Sequence, residues 1–250
     1  QFHHFVRILP KSGLIVANGR DEALQRVLTQ GCWTPVERFG VEGAWQAGAP
    51  DADNGFEIRW GRDALGRVRW SQAGEHNRLN ALAAIAAARH AGVEPGRAIE
   101  ALASFKGVRR RLELRGTVRG VAVYDDFAHH PTAIRATLEG LRAQRGAGRI
   151  LAVLEPRSNT MKLGIMKDRL AASLAGADRA YVYAAYLGWD AAAALQPLGE
   201  RARSFEQLDA LVAAVAAEAR PGDRVLVMSN GGFGGVHGKL LAAIGAQTAA

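Results

Sequence analysis

The 250-residue sequence contains one cysteine and no long apolar run. A single thiol, Cys32, excludes an intrachain disulfide bond and fits a reducing compartment. A helix that spans a bilayer needs about 20 consecutive apolar residues, and no stretch approaches that length, so we expect no membrane partner. The chain begins at Gln1 without an initiator methionine or a signal peptide. We therefore expect it to be a piece of a longer protein, or a processed one.

Aromatic residues are also scarce, at 7%, although the formal net charge is +8. Proteins that bind single-stranded nucleic acid combine a basic groove with stacking aromatic side chains. Here the arginines are spread along an alanine-rich chain, and only Arg109–Arg111 form a cluster. The positive charge is compatible with an anionic partner and equally with a coding bias towards arginine. We predict that nucleic acid is not a partner.

What the sequence does contain is an ordinary globular composition, with 48% hydrophobic and 22% charged residues, divided into two parts. In the first part, residues 1–107, we predict strands and helices together. The strands are 14–18, 56–60 and 68–70, and the helices are 21–30, 76–91 and 95–105. We interpret 63–66 as the turn of a hairpin and 40–55, which is rich in Gly, Ala and Asp, as a loop.

In the second part, residues 108–250, apolar strands alternate with amphipathic helices. The predicted strands are 111–117, 121–124, 150–154, 180–183 and 224–228, and the predicted helices are 131–144, 165–175, 205–218 and 236–244. Such alternation is typical of a mostly parallel sheet that is covered by helices on both faces. We therefore predict an α/β protein whose second part is a compact Rossmann-like domain.

Two carboxylates and two imidazoles lie within six residues, in the segment Tyr124–Thr132. An apolar run ends at Asp125 and Asp126, and a helical pattern begins just after His129 and His130. In open α/β sheets, ligands bind outside the carboxyl ends of the strands, which is where this segment is predicted to lie. An acidic turn with a helix cap is the alternative.

Two further polar clusters follow apolar strands. Arg157, Ser158 and Asn159 could hold a ligand carboxylate, and a plain polar turn is the alternative. Asn230 is followed by glycines at 231, 232, 234 and 235, whose backbone N–H groups can approach an anion closely. A flexible loop is the alternative there, and the spacing is not that of the dinucleotide fingerprint. Because all three clusters follow strands of one sheet, we expect them to converge at one edge.

Two more clusters lie outside these strand ends. Asn77 and Asn80 are three residues apart at the start of the alanine-rich helix and therefore share a face. Their amides offer donors and acceptors that can read a purine edge, and capping of the helix by Asn77 is the alternative. Arg109–Arg111 lie where the two parts meet. Arginine is suited to bidentate phosphate contact, and a solvated basic strand is the alternative.

The ordered set of motifs resembles that of the Mur ligase family of peptidoglycan enzymes. The motifs are HNxxN at His76–Asn80, GVxRRLE at Gly107–Glu113, DDFAHHPT at Asp125–Thr132 and the glycine-rich loop after Met228. The resemblance covers essentially the whole chain, and the ordered set is far more specific than any one motif. It implies that residues 1–107 are the C-terminal half of a central ATPase domain and that residues 108–250 are a C-terminal Rossmann-like ligase domain.

The resemblance implies a bacterial cytoplasmic enzyme that uses ATP and Mg²⁺, with the P-loop and the metal ligands upstream of Gln1. No metal ligand is therefore assigned to this chain. The segments EPRSNTMKLG and SNGGFGGVH are similar to those of family members that join L-alanyl-γ-D-glutamyl-meso-diaminopimelate to UDP-N-acetylmuramate through an acyl phosphate, in peptidoglycan recycling. Two alternatives stay open: a family member that adds L-alanine, and an isolated chain that binds nucleotide and peptide without activity.

The resemblance also implies roles for particular residues. Those expected to contact ATP are Asn77, Asn80, Arg111 and Asp126. Those expected beside the reacting phosphate and the incoming amine are His129, His130 and Arg111. Those expected to hold the peptide are Arg157, Ser158, Asn159, Asn230, Gly231 and Gly232.

Overall fold

The computed structural model describes residues 1–70, 72, 74–144, 146 and 148–247. The chain divides into two compact units, Gln1–Gly107 and Val108–Ala250. Each unit pairs one sheet with helices, so the predicted α/β class is confirmed. Within the described residues, no helix combines the length and the apolarity that a membrane span requires.

The first unit contains a five-stranded sheet with helices packed against it. Its elements are α1 (Phe2–Arg7), β1 (Ile15–Asn18), α2 (Glu22–Thr29), β2 (Val36–Phe39), β3 (Trp45–Ala47), β4 (Phe56–Trp60), β5 (Asp63–Val68), α3 (Glu75–His90) and α4 (Pro95–Ala103). The strand order is β1-β2-β3-β4-β5, with parallel pairing from β1 to β3 and antiparallel pairing from β3 to β5.

Helix α3 covers the core of the first unit. Its buried side chains recur at one- and four-residue spacings, which place them on one helix face; they are Ala81, Leu82, Ile85 and Ala86. The small alanines let the helix lie close to the sheet, where Trp45 and Phe56 are fully buried. The alanine-rich composition therefore serves packing in this helix.

Three predictions for the first unit were wrong. The strand expected at 68–70 is instead β5, which ends at Val68. The loop expected at 40–55 contains β3, whose Trp45 is fully buried and stacks on Trp60 with 5.6 Å between the ring centroids. The turn expected at 63–66 belongs to β5, and the chain reverses before it, at Gly61, where φ is +60°. A strand of three residues gives too little alternation to be recognised, and a shift of the β4–β5 register after Ile58 breaks the pattern of the hairpin.

The second unit contains a six-stranded sheet. Its elements are β6 (Glu113–Val118), β7 (Val121–Asp126), α5 (Pro131–Ala143), β8 (Ile150–Leu154), α6 (Asn159–Lys162), α7 (Leu170–Leu174), β9 (Arg179–Tyr183), α8 (Ala191–Leu195), β10 (Ala202–Phe205), α9 (Leu208–Glu218), β11 (Arg224–Met228) and α10 (Val236–Gly245). The strand order is β10-β9-β8-β11-β7-β6. All pairs are parallel except the antiparallel pair β6–β7, as predicted for a mostly parallel sheet.

Helices cover both faces of this sheet, which explains why its central strand β8 is apolar throughout. Ile150, Ala152 and Leu154 of β8 pack with α5 and α7, whereas Leu151 and Val153 pack with α9 and α10. Successive side chains of a strand point to opposite faces, so one strand supplies two hydrophobic cores. All five residues of β8 and all five of β11 are buried.

The helix predicted at 165–175 is wrong in its first half. The chain instead forms α6, then a single 3₁₀ turn at Lys167–Arg169, and then α7. Just before this segment, Gly164 adopts φ of +72° after the end of α6, and a Cβ atom there would lie 2.9 Å from Cδ1 of Trp189. The positive φ and the close packing therefore favour glycine at this position.

Candidate functional site at the carboxyl edge of the sheet

The register of the second sheet aligns three strand ends. Asp126 pairs with Met228, and Met228 pairs with Leu154, so β7, β11 and β8 end side by side. The loops also bond to one another, since Ser229 N donates to the carbonyl of Asp126 at 3.1 Å and Glu155 N donates to that of Met228 at 3.0 Å. The predicted convergence of three polar clusters at one edge is confirmed.

Asp126 is the last residue of β7 and is only 2% exposed. Its carboxylate accepts hydrogen bonds from Leu112 N at 2.9 Å, Ala128 N at 2.8 Å and Thr137 Oγ1 at 3.2 Å. A carboxylate offers about four acceptor sites, so three of them are filled within the unit. Asp126 therefore anchors the turn before α5, and its contact with a ribose stays a prediction.

Asp125 is also buried, at 4% exposure, and lies between two basic side chains. Its Oδ2 is 3.3 Å from Nε of Arg110, and its Oδ1 is 3.2 Å from Nε2 of His237. Burial lowers the pKa of His237 below its ordinary value, against the opposing attraction of Asp125. The imidazole is therefore held mainly neutral near pH 7, and Arg110 is the charged partner of Asp125.

Arg110 fastens the glycine-rich loop, which we define as residues 229–235. Its Nη2 donates to the carbonyls of Ser229 at 2.6 Å and Gly231 at 2.9 Å. Arg110 adopts φ of +58°, an uncommon conformation for a residue other than glycine. The sequence marked Arg110 only as part of a basic cluster, because its partners lie 119 and 121 residues away along the chain.

The carbonyls bound by Arg110 determine where the neighbouring N–H groups point. In a trans peptide the C=O and the following N–H point in opposite directions, so the N–H groups of Asn230 and Gly232 face away from Arg110. In the part of the chain that the structure describes, neither N–H has an acceptor. The buried Oδ1 of Asn230 likewise has no hydrogen-bond partner there. The loop thus has two backbone donors and one buried acceptor that form no hydrogen bond among the described residues.

The two histidines directly precede α5, which begins at Pro131. His129 Nδ1 is 2.9 Å from the carbonyl of Phe127; since a carbonyl only accepts, Nδ1 carries the proton. His130 is the N-cap residue of α5, and its Nδ1 accepts from Thr132 N at 3.4 Å. In the neutral rings, Nε2 is then an acceptor in His129 and a donor in His130.

Arg111 contrasts with the neighbouring Arg110. Its side chain is exposed, and its guanidinium carbon lies 5.7 Å from the centre of the Phe127 ring. Arg110 lies 5.2 Å from the same ring. Among the described residues Arg111 forms no ion pair, so its charge is available to an anionic ligand.

Arg157 meets the glycine-rich loop beyond the end of β8. A Cβ atom at Gly231 would lie 2.6 Å from Cδ and 2.8 Å from Cζ of Arg157, so only glycine leaves room for that side chain. Gly231 N donates to Ser229 Oγ at 2.9 Å, and that hydroxyl donates to Glu155. The structure therefore brings together Arg157 and the loop, as predicted for one binding site.

Ser158 and Asn159 lie beside Arg157 at the start of α6. Ser158 occupies the N-cap position, where its hydroxyl contacts Thr160 Oγ1 at 3.2 Å, and Asn159 is exposed. The next loop of the sheet is joined to this segment by Trp189, whose Nε1 donates to the carbonyl of Met161 at 2.7 Å. The indole ring of Trp189 also packs against the hydrophobic core of the second unit.

Asn77 and Asn80 both lie in the first turns of α3, in the first unit. The helix begins at Glu75 with Gly74 as its N-cap residue, so the alternative that Asn77 caps this helix is wrong. Asn80 is exposed and Asn77 is partly buried. Their predicted contacts with adenine are not tested by these positions.

No group of three or more His, Cys, Asp or Glu side chains in the described ranges is arranged to hold a metal ion. The carboxylates at the carboxyl edge are instead bonded to arginine, histidine and backbone groups of the same unit. The donor set here therefore does not fit a magnesium site.

Comparison with known proteins identifies the family. Residues 110–231 match the Mur ligase glutamate ligase domain. The UDP-N-acetylmuramate–L-alanyl-gamma-D-glutamyl-meso-2,6-diaminoheptandioate ligase of Escherichia coli K12 is 51% identical over 96% of this chain and 53% of its own length. A UDP-N-acetylmuramate–L-alanine ligase of Mycobacterium sp. strain JLS is 36% identical over 98% of this chain and 55% of its own.

Among solved structures, a murein peptide ligase from Psychrobacter arcticus is 38% identical to this chain, with a TM-score of 0.76. The match covers 100% of this chain and 55% of the chain of that ligase. The chain thus spans about half the length of the curated relatives it matches. The ordered motifs, the mostly parallel second sheet and these similarities agree. The chain belongs to the Mur ligase family.

Proposed function

We propose that the protein carrying this sequence is an ATP-dependent ligase that joins L-alanyl-γ-D-glutamyl-meso-diaminopimelate to UDP-N-acetylmuramate in the bacterial cytoplasm. The observation that carries the proposal is the meeting of Arg157 with the glycine-rich loop at the carboxyl edge of the sheet. Arginine and free backbone N–H groups together suit a carboxylate. The 51% identity to the Escherichia coli enzyme of that name supports the same substrate class.

The reaction joins a carboxylate to an amine in two steps. ATP transfers its γ-phosphoryl group to the carboxylate of UDP-N-acetylmuramate, which gives an acyl phosphate and ADP. The amine of the tripeptide attacks the acyl carbon, and phosphate leaves as the amide forms. The protein's part in such chemistry is chiefly to position the reactants and to neutralise charge.

The tautomers inferred for the two histidines suggest separate roles. The Nε2 of His129 is an acceptor and can take a proton from the incoming ammonium group, which makes the amine nucleophilic. The Nε2 of His130 carries a proton and can donate to a phosphate oxygen. We assign His129 as the general base and His130 as a donor to the leaving phosphate.

The nucleotide contacts remain those implied by the family resemblance. Arg111 is proposed to bind a phosphate or the ribose, and its exposed, unpaired guanidinium supports this. Asn77 and Asn80 are proposed to contact adenine, and Asp126 is proposed to contact the ribose. Magnesium would neutralise phosphate charge, and its ligands are proposed to lie outside the residues described.

The peptide contacts are proposed to lie at the carboxyl edge. Arg157 would bind a carboxylate of diaminopimelate, beside the N–H groups of Asn230 and Gly232. The unpartnered Oδ1 of Asn230 would accept from an ammonium group of the same residue. Ser158 and Asn159, at the start of α6, would complete this wall of the site.

The test is phosphate release by the full-length protein in the presence of ATP, Mg²⁺ and UDP-N-acetylmuramate. We expect release with the tripeptide and none with free L-alanine. Release with L-alanine alone would overturn the assignment in favour of the alanine-adding relatives, of which one is 36% identical. Release with neither amine would reject ligase activity towards both substrates.

A second measurement concerns the isolated 250-residue chain, for which we propose binding without turnover. The chain should bind the tripeptide in a titration followed by calorimetry but release no phosphate from ATP. Turnover by the isolated chain would contradict the proposal that the phosphate cradle and the metal ligands lie elsewhere in the protein.

A further inference from the structure

One buried carboxylate contacts residues that control both ends of the glycine-rich loop. Asp125 lies at the end of β7, where the strand holds it in place. Its Oδ2 contacts Arg110, which bonds the first residues of the loop, and its Oδ1 contacts His237, the second residue of α10, directly after the loop. A single rigid group therefore fixes where the loop begins and where it ends.

The contacts of Arg110 show why its orientation matters. One nitrogen of its guanidinium binds the carbonyls on either side of Asn230, and Nε faces Asp125. If the guanidinium turned, the two carbonyls would lose their common donor, and the outward N–H groups of Asn230 and Gly232 would lose their direction. Asp125 is the anionic group that contacts this guanidinium in the described part of the second unit.

The His237 contact is close but poorly aligned. Its Nε2 and Oδ1 of Asp125 are 3.2 Å apart, yet each is buried without a hydrogen-bond partner among the described residues. Oδ1 of Asn230, within the loop, is the third such atom in this region. Buried polar atoms that lack partners are uncommon and need an explanation. A loop that shifts slightly when its ligand binds would complete all three.

We propose that Asp125 and His237 are positioning residues, which hold the glycine-rich loop ready to receive the peptide and align with each other when the peptide is bound. Neither is placed in contact with a substrate. The inference rests on the proposed function, because it assigns the loop to the peptide site. It goes further by naming two residues that act on peptide affinity through Arg110 and α10.

The test uses steady-state kinetics of the full-length protein. Asp125→Asn keeps the size of the side chain and removes its charge, and His237→Leu removes the donor. Each should raise KM for the tripeptide about tenfold, as expected for a misplaced binding group, with KM for ATP changed less than about twofold. His237→Gln places an amide nitrogen near the position of Nε2 and should restore most of the affinity.

Lys239→Gln is the matched control, because Lys239 lies on the same helix and forms an exposed pair with Asp209. It should leave both KM values unchanged. If Asp125→Asn and His237→Leu raise the KM values for ATP and tripeptide equally, or if they lower only the melting temperature, the positioning role is overturned.

Hydrogen exchange separates this inference from the proposed function. The N–H of Gly231 is bonded to Ser229 Oγ, so its exchange reports on the order of the loop. Asp125→Asn should speed exchange at Gly231 while the amides of β11 keep the wild-type rate. That result would support positioning even if the wild-type protein failed to use the tripeptide. Unchanged exchange at Gly231 would overturn the positioning role whatever the substrate.

Discussion

The two edges of the second sheet differ in how far their polar and charged groups are bonded to one another. At the amino edge, where β8, β9 and β11 begin, charged groups are paired with one another. At the carboxyl edge, where β7, β8 and β11 end, buried polar atoms have no hydrogen bond to any described residue, and two arginines are exposed. The same strands therefore have one edge built for stability and one edge built for binding, in line with the position of ligand sites in open α/β sheets.

The amino edge is a closed network. Arg149 forms two hydrogen bonds to Asp223, at 3.0 and 2.6 Å. Arg179 bonds to Glu218, which also accepts from the hydroxyl of Tyr181 at 2.7 Å. The pKa of Arg149 is raised by its hydrogen bonds to Asp223, and that of Tyr181 is raised by burial and by Glu218. Arg149 therefore stays charged and Tyr181 stays neutral near neutral pH.

At the carboxyl edge, by comparison, the hydrogen bonding of the buried polar side chains is incomplete among the described residues. The buried atoms that form no hydrogen bond within the described residues are Oδ1 of Asn230 and the facing pair Oδ1 of Asp125 and Nε2 of His237, which lie 3.2 Å apart. Such departures from full satisfaction cluster where a protein binds or reacts, because a ligand can complete them. We therefore expect a substitution at the amino edge to lower the free energy of unfolding, and a substitution at the carboxyl edge to lower the activity.

The largest effect on activity is expected at His129. In His129→Asn the amide can still donate to the carbonyl of Phe127, but the acceptor at the Nε2 position is lost. If His129 is the general base, kcat should fall about 10²- to 10⁴-fold, with the melting temperature unchanged. The exposed His90→Ala, on α3, is the control. A kcat within about threefold of wild type would reject the assigned role.

The largest effect on stability is expected at Asp223. Asp223→Ala leaves Arg149 without its bidentate partner and also removes an acceptor from Arg220 N. Because Asp223 is buried but the arginine is partly exposed, we expect a loss of about 2 kcal/mol. Hydrogen exchange of the β8 and β11 amides across a urea series measures it. The exposed pair Asp209–Lys239 supplies the control, Asp209→Ala, with no measurable change expected.

Steady-state kinetics of Asp223→Ala test whether the amino edge also affects activity. At a temperature where Asp223→Ala stays folded, its KM values and kcat should match those of the wild type. A loss of tripeptide affinity in that variant would mean that the two edges are not functionally separate.

A smaller effect is expected from Gly231→Ala. The added methyl group would displace the flexible side chain of Arg157 without clashing with backbone. KM for the tripeptide should therefore rise about tenfold, while the free energy of unfolding changes little. Gly238→Ala is the control, because nothing lies within 4 Å of a Cβ atom there. Unchanged tripeptide affinity in Gly231→Ala would separate Arg157 from the peptide site.

The smallest expected effect is on the pH dependence of stability. The pKa of His237 is lowered from 6.5 by burial, with Asp125 opposing the shift and Arg115 and Arg110 adding to it. A lowered pKa means that the folded state favours the neutral ring, so its stability is present above pH 6.5 and is lost as pH falls through the folded pKa. His237→Gln should flatten this acid limb in melting curves taken at a series of pH values. If the melting temperatures of the variant and the wild type fall equally as the pH is lowered, the prediction is wrong.

Much of the second unit could be predicted from the sequence because its strands are buried on both faces. Apolar runs of five residues in β8 and four in β11 located these strands with their observed bounds, Ile150–Leu154 and Arg224–Met228. Short elements were missed: β10, of four residues, and α8, of five, carry too little periodicity. The helix predicted at 165–175 also failed in its first half, where the chain forms a 3₁₀ turn at Lys167–Arg169.

For the site, the sequence located the strand-end clusters but not their internal bonds. The motif around Asp125 was recognised, yet its link to His237 joins residues that are far apart in the chain. Arg110 and Arg111 look alike in sequence, and only the fold shows that one is bound to the loop and the other is exposed. Motifs thus indicate which residues matter, and long-range contacts decide what each one does.

The contrast between the two edges can be tested directly by hydrogen exchange on the full-length protein, with and without the tripeptide, UDP-N-acetylmuramate and a non-hydrolysable ATP analogue. We expect the ligands to slow exchange at residues 229–235 and 155–160 and to leave residues 218–224, at the amino edge, unchanged. Protection confined to the amino edge, or absent from the glycine-rich loop, would contradict it.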